Sequence, residues 1–272
     1  MHLDVENLNN FYSQTLIGQF TRRQLQESVK KLWGTTLTGQ IAGYGFSTPI
    51  LSVFDQGPHR ILCLMPGQQG VMSWPSSEDN CSVLVEETSW PIATSSIDRL
   101  VVLHGLETSE KLKGLFQEMW RVLTPSGKVI FVVPNRSGWW ARSEATPFGQ
   151  GRPYSIRQVS NQLISNRFKV ERCLTALYAP PVEKLYRLRI ADFIENLGNK
   201  FYSRLGAGVF LLEATKQIYA VNAPPLGSLA PRPISVLKEL SDPKPASKTY
   251  YKELSDFKIV NSRCMLHVFN KY

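Results

Sequence analysis

Apolar residues in this chain fall into short unbroken runs, separated by stretches in which they recur every three or four positions. Leu100 to Leu103 and Val129 to Val133 are free of charge and rich in valine, the pattern of strands buried on both faces. Arg60 to Met65, Ser82 to Val85 and Thr35 to Ala42 read as three further strands. Between the first two runs, Leu112, Leu115, Phe116, Met119, Trp120, Val122 and Leu123 share one helix face. Thr108 or Ser109 is placed to cap that helix, Glu110 suits its positive end, and Thr124-Pro125-Ser126-Gly127 is expected to stop it and turn the chain. Strand, helix and strand in about forty residues form a right-handed crossover unit.

The rest of the pattern extends this unit. Residues 4–33 read as helix broken around Gly18, Gly43 to Ser47 as a glycine-bearing turn, and Pro49 to Phe54 as a short helix. Beyond the central unit come a helix from Tyr154 to Ser165 capped by Ser155, a sixth strand from Phe168 to Leu177, a long amphipathic helix from Val182 to Tyr202, and a seventh strand from Gly208 to Thr215. The expectation is an α/β domain with a mostly parallel sheet and helices on both faces. The long helix is expected to pack on the sheet, although basic residues beside its apolar stripe also suit a membrane surface. From Val221 the chain fills with proline, serine and lysine, which marks residues 221–272 as a linker or disordered tail. Cys264 to Phe269 inside it can pair as an edge strand or bind a partner.

At 272 residues the chain suffices for one large α/β domain or two small ones. Its net charge of +9 favours an anionic partner, nucleic acid and membrane surfaces included, but lysines of the tail supply much of the excess. The N-terminal helix adds Arg22, Arg23, Lys30 and Lys31, a basic face that a solvated helix also shows. Four widely spaced cysteines suggest neither a zinc site nor a disulfide framework, and fit a cytoplasmic protein. No apolar run approaches a membrane span, and no secretory leader is evident. Hydrolase, nucleotidase and metalloprotease readings have no motif to rest on.

A doubly wound sheet binds ligands beyond the carboxyl ends of its strands, where the strand order reverses. His104 to Thr108 and Pro134 to Arg136 occupy that position for the central unit. His104 is the best candidate for a base, because imidazole titrates near neutral pH; a lone histidine at a strand end is also a common structural residue. Arg136, Trp139, Trp140, Arg142, Arg152 and Tyr154 combine charge with aromatic surface in a loop over the same end. Such a loop can cap a pocket and bind a substrate, or form a small satellite core.

The order of these features resembles the class I S-adenosylmethionine-dependent methyltransferases, closest to the type 11 subgroup. Trp90-Pro91-Ile92, Ser96-Ile97-Asp98, Leu106-Glu107-Thr108 and Arg121 to Lys128 stand where that subgroup reads LPF, SFD, LEH and RVLKPGG. Leu64 to Pro75 and Thr146 to Ser155 are similar to a bacterial subgroup. The resemblance covers about residues 35–215. It implies a Rossmann-like, seven-stranded, mostly parallel sheet whose last strand is antiparallel, with residues 1–34 as a helical segment packed on a domain of residues 35–220, in which 136–155 form a substrate-capping insertion.

The resemblance also implies S-adenosyl-L-methionine as cofactor; the charged and aromatic loop adds the expectation of a small or medium-sized, anionic or aromatic acceptor, bound by Arg136, Trp139, Trp140, Arg152 and Tyr154. Gly43, Tyr44 and Gly45 would face the methionine end of the cofactor, Glu86, with Glu87 beside it, the adenine, and His104, Gly105 and Leu106 the far side and the approach to the methyl group. Two acidic residues usual in the family are replaced: Ile41 stands before the first glycine, and Gln68 and Gln69, either of which could accept a ribose hydroxyl, stand after the second strand, where the ribose binds. A neutral amide is a weaker acceptor than a carboxylate. Two alternatives therefore stay open: a protein that keeps the fold without catalysis, serving as a binding or regulatory module, and an RNA-directed methyltransferase.

Overall fold

In a computed structural model, which describes residues 3–55, 57, 60–75, 79–187, 190–201 and 206–218, seven strands form one sheet. The strands are β1 (Gln40–Gly45), β2 (Arg60–Pro66), β3 (Ser82–Val85), β4 (Ile97–Leu103), β5 (Leu123–Pro134), β6 (Phe168–Ala176) and β7 (Val209–Lys216), in the order β3-β2-β1-β4-β5-β7-β6. Strands β1 to β5 pair in parallel, and β7 inserts antiparallel between β5 and β6. The chain leaves β1 for β2 on one side and returns as β4 on the other, so the switch point lies at the carboxyl ends of β1 and β4.

Alternation along the strands creates two cores. Val101, Leu103, Ile130 and Val132 face one side, which is covered by α1 (Val5–Gln14), α2 (Leu16–Trp33), α3 (Thr48–Leu51), α6 (Glu183–Arg187) and α7 (Ile190–Phe201). Leu100, Val102, Val129 and Phe131 face the other, under α4 (Leu112–Val122) and α5 (Ile156–Ser165). Each fully buried leucine or phenylalanine contributes about 1.5–3 kcal/mol.

Several boundaries differ from the sequence pattern. The break between the first two helices falls at Thr15, whose hydroxyl caps α2, and not at Gly18. Gly18 lies inside α2 because α1 passes too close for a side chain: a Cβ there would stand 1.8 Å from the Phe11 carbonyl. Residues Thr124 to Gly127 do not end the pairing. They bulge out of β5 between the pairs Ile97↔Leu123 and Arg99↔Lys128, since Pro125 offers no N–H to the ladder. Neither Thr108 nor Ser109 caps α4; Lys111 is its N-cap, without a side-chain cap bond. The long helix expected from Val182 is seen as α6 and α7, on either side of residues 188–189, which lie outside the described residues. The expected tail and the Cys264 to Phe269 segment lie outside the described residues.

Buried Glu213 in β7 ties the helices to the sheet. It accepts from Trp33 Nε1 at 3.1 Å and from the Arg172 guanidinium, with Lys128 Nζ at 3.4 Å, while Arg172 also reaches the Leu32 carbonyl at the end of α2. A carboxylate this deeply buried is tolerable because cations surround it.

Candidate active site

At the switch point β1 ends on Gly45 in the left-handed region, φ +79°. A Cβ there would lie 2.2 Å from the Leu103 carbonyl, so only glycine lets the turn approach β4, and the Phe46 N–H donates to that carbonyl at 2.8 Å. The other two glycines are fixed by packing as well. The space beside Gly43 holds Ser47 Oγ, 1.9 Å from where a Cβ would be, and the space beside Gly105 holds the Tyr44 ring. Tyr44 is fully buried and stacks on Trp90 at 5.0 Å between centroids. Burial, with a lesser contribution from Glu87, holds its phenol protonated.

His104 closes β4 with a positive φ of 55°, uncommon for a residue with a side chain. It is wholly buried, Nε2 lies 2.7 Å from Tyr12 Oη, and Nδ1 lies 3.0 Å from Glu107 Oε1. Burial and then Glu107 raise the Tyr12 pKa; a neutral imidazole that donates from Nδ1 to the Glu107 carboxylate accepts the phenol O–H at Nε2. The other Glu107 oxygen is buried with no partner among the described residues, as are Tyr44 Oη and Ser47 Oγ. Phe148 packs on the imidazole at 4.8 Å, Phe46 stacks on Tyr12, and the Gln69 amide donates to the His104 carbonyl. Gln69 in turn accepts the Val5 N–H at 2.7 Å, which fastens α1 across the strand ends.

A more open part of the site lies one step along the sheet edge. Pro66, Gly67 and Gln68 after β2, with Val85 and Glu86 after β3, line a cleft of about 280 Å³ completed by Glu110 and Lys111. Gln68 and Glu86 are exposed, and nothing occupies the space beside Gly67. Glu87 also borders the cleft, but its carboxylate accepts from Ser109 Oγ and from the N–H groups of Glu110 and Lys111, and so anchors the entry to α4.

The insertion folds back over this edge. The Arg152 N–H donates to the Glu107 carbonyl at 3.0 Å, Tyr154 Oη to the Leu106 carbonyl at 3.4 Å, and the Arg136 N–H to the Tyr154 carbonyl at 3.1 Å. Trp140 is buried, donates to the Ala179 carbonyl and meets Phe148 edge-on, which makes it part of the packing that holds the loop. Trp139 is 61 % exposed, and Arg136 and Arg152 are also at the surface.

Residues 42–131 match a family model described as a methyltransferase domain. The fold is that of the class I methyltransferases. Solved structures similar to this methyltransferase-type domain include a SAM-dependent methyltransferase from Thermotoga maritima, described as a possible histamine N-methyltransferase. It shares 14 % identity over 78 % of this chain and 95 % of its own, with a TM-score of 0.52. SAM-dependent methyltransferases from Archaeoglobus fulgidus (13 % identity, 78 % of this chain and 100 % of that one, TM-score 0.53) and Aquifex aeolicus (14 %, 79 % and 99 %, 0.52) are similar to the same extent. No curated protein matches the chain.

Tyr12 is the site residue that sequence reasoning missed; Gln69, an alternative to Gln68 for the ribose, is buried and donates to the His104 carbonyl. Tyr12 lies in a helix ahead of the methyltransferase-type domain, and no local pattern marks its contact with a residue 92 positions away.

Proposed function

We propose that the protein transfers a methyl group from S-adenosyl-L-methionine to a small or medium-sized acceptor. The observation that carries this reading is the cleft at the ends of β2 and β3, where Gln68 and Glu86 stand exposed around an uncovered Gly67. Glu86 suits the adenine amino group, and the Gln68 amide, donor and acceptor at once, suits the ribose hydroxyls. Buried polar atoms of Tyr44, Ser47 and Glu107 that lack a partner among the described residues support a polar ligand reaching toward the switch point. The bound cofactor would supply an activated methyl group, which leaves the protein to align the acceptor and exclude water. His104 is the candidate base, but both ring nitrogens are engaged, by Tyr12 and Glu107, so it would take a proton from the acceptor only by exchanging the Tyr12 contact for it. Trp139, Arg136 and Arg152 on the overlying loop offer charge and stacking to an anionic or aromatic acceptor.

A second reading, a binding protein without catalysis, draws on the burial of the Gly43 to Ser47 turn, whose side chains fill the space beside two glycines. Calorimetric titration with S-adenosylmethionine, S-adenosylhomocysteine and adenosine separates the two. Micromolar binding of the first two, with adenosine much weaker, supports methyl transfer. Equal binding of adenosine supports the second reading, since the methionine half then contributes nothing.

A further inference from the structure

Helix α7 turns a second apolar face outward. Ala191, Glu195 and Gly198 point inward, with Gly198 against the Tyr178 ring and Glu195 accepting the N–H groups of Leu177 and Tyr178. Ile190, Phe193 and Leu197, spaced by three and four, form a stripe on the opposite side and are 40 %, 67 % and 41 % exposed. Val182 before α6 and Leu16 at the start of α2 are exposed as well. An open groove of about 510 Å³ between α2 and the α6–α7 pair, with Leu16, Phe20 and Tyr186 among its walls, continues the apolar surface. A soluble domain rarely leaves such a continuous patch on a helix bare.

Charge identifies the occupant. Arg22, Lys30 and Lys31 are exposed on α2, and Lys184 on α6, against Glu27. The other acids nearby are engaged: Asp192 with Arg23, Glu183 with Arg187, and Glu195 inside the fold. Large apolar side chains on a convex helix, flanked by cations, are the arrangement of a helix that lies in a bilayer interface and meets anionic headgroups. We propose that the α2 and α6–α7 surface docks on an anionic phospholipid bilayer, with Ile190, Phe193 and Leu197 entering the headgroup boundary. Among the described residues no helix is long and apolar enough to cross a membrane, so this attachment is peripheral.

The test is co-sedimentation of the full 272-residue chain with phosphatidylcholine vesicles, and with vesicles in which about 30 mol % is phosphatidylglycerol. The anionic vesicles should bind about tenfold more tightly, and raising the salt should weaken that binding. Phe193→Asp should lower it by about tenfold without changing the unfolding temperature, since the ring has no core role. Equal binding to both vesicle types, undiminished binding of Phe193→Asp, or no binding at all would overturn the proposal. If vesicles do not bind and Phe193→Asp converts a dimer to a monomer by sedimentation velocity, the face belongs to a second copy of this chain.

Discussion

Tyr12 Oη lies 2.7 Å from His104 Nε2, joining a helix ahead of the sheet to the strand end at the switch point. Both groups are buried, so the phenol covers the imidazole and satisfies it at once. Tyr12→Phe keeps the ring and removes the donor, leaving Nε2 without a partner. Unfolding by urea should show a loss of about 1–3 kcal/mol, and an unchanged midpoint would mean that the contact contributes nothing.

Neighbouring acids Glu86 and Glu87 should respond differently to substitution. Glu86→Ala removes an exposed carboxylate from the cleft and should weaken S-adenosylmethionine binding by about 1.5–3 kcal/mol at unchanged stability. Glu87→Ala strips the acceptor from Ser109, Glu110 and Lys111 and should lower the unfolding temperature. Paired titration and thermal melts decide between them; the reverse assignment would place Glu87 on the adenine.

Gly45→Ala should destabilise the domain by at least about 1–3 kcal/mol, since an L side chain there is strained at φ +79° and also meets the Leu103 carbonyl. Gly43→Val should act the same way, through collision with Ser47 and Leu51, so the loss appears in stability before any ligand is added. Wild-type stability of either variant would mean that the turn relaxes away from β4.

How much of this was legible follows from the range of each interaction. Runs such as Leu100 to Leu103 and the apolar face of α4 state their burial locally, and alternation with helices states a parallel sheet, while the antiparallel last strand was legible only through the family resemblance. The glycines of the β1 turn were legible as a pattern, but what fills the space beside them was not, because Ser47, Tyr44 and Leu103 reach it only once strands pair. The resemblance put Glu86 on the adenine, but what Glu87 does was not legible, since the entry to α4 that claims it lies 22 to 24 residues on. Trp139 and Trp140 are adjacent in sequence and opposite in environment, a difference set by the distant Ala179 and Phe148.

Glu118 links stability to pH. Its hydrogen bond to Arg121, aided by the Trp90 N–H, holds its carboxyl below the usual carboxylate range despite burial. A depressed folded pKa means the contribution is present above the ordinary carboxylate value and is lost as pH falls through Glu118's own. Urea midpoints should therefore drop as pH falls below the ordinary carboxylate range, and Glu118→Gln should flatten that limb. An identical acid limb in the variant would assign the loss to other carboxylates.

Hydrogen–deuterium exchange with and without saturating S-adenosylhomocysteine tests most directly whether the cleft beyond β2 and β3 holds the adenosine half of the cofactor. The predicted result is slowed exchange across residues 66–70 and 85–88, with ligand stabilisation of about 2.7 kcal/mol at a hundred times the dissociation constant. Saturable binding that leaves both segments unchanged, or no binding at millimolar ligand, would contradict the assignment.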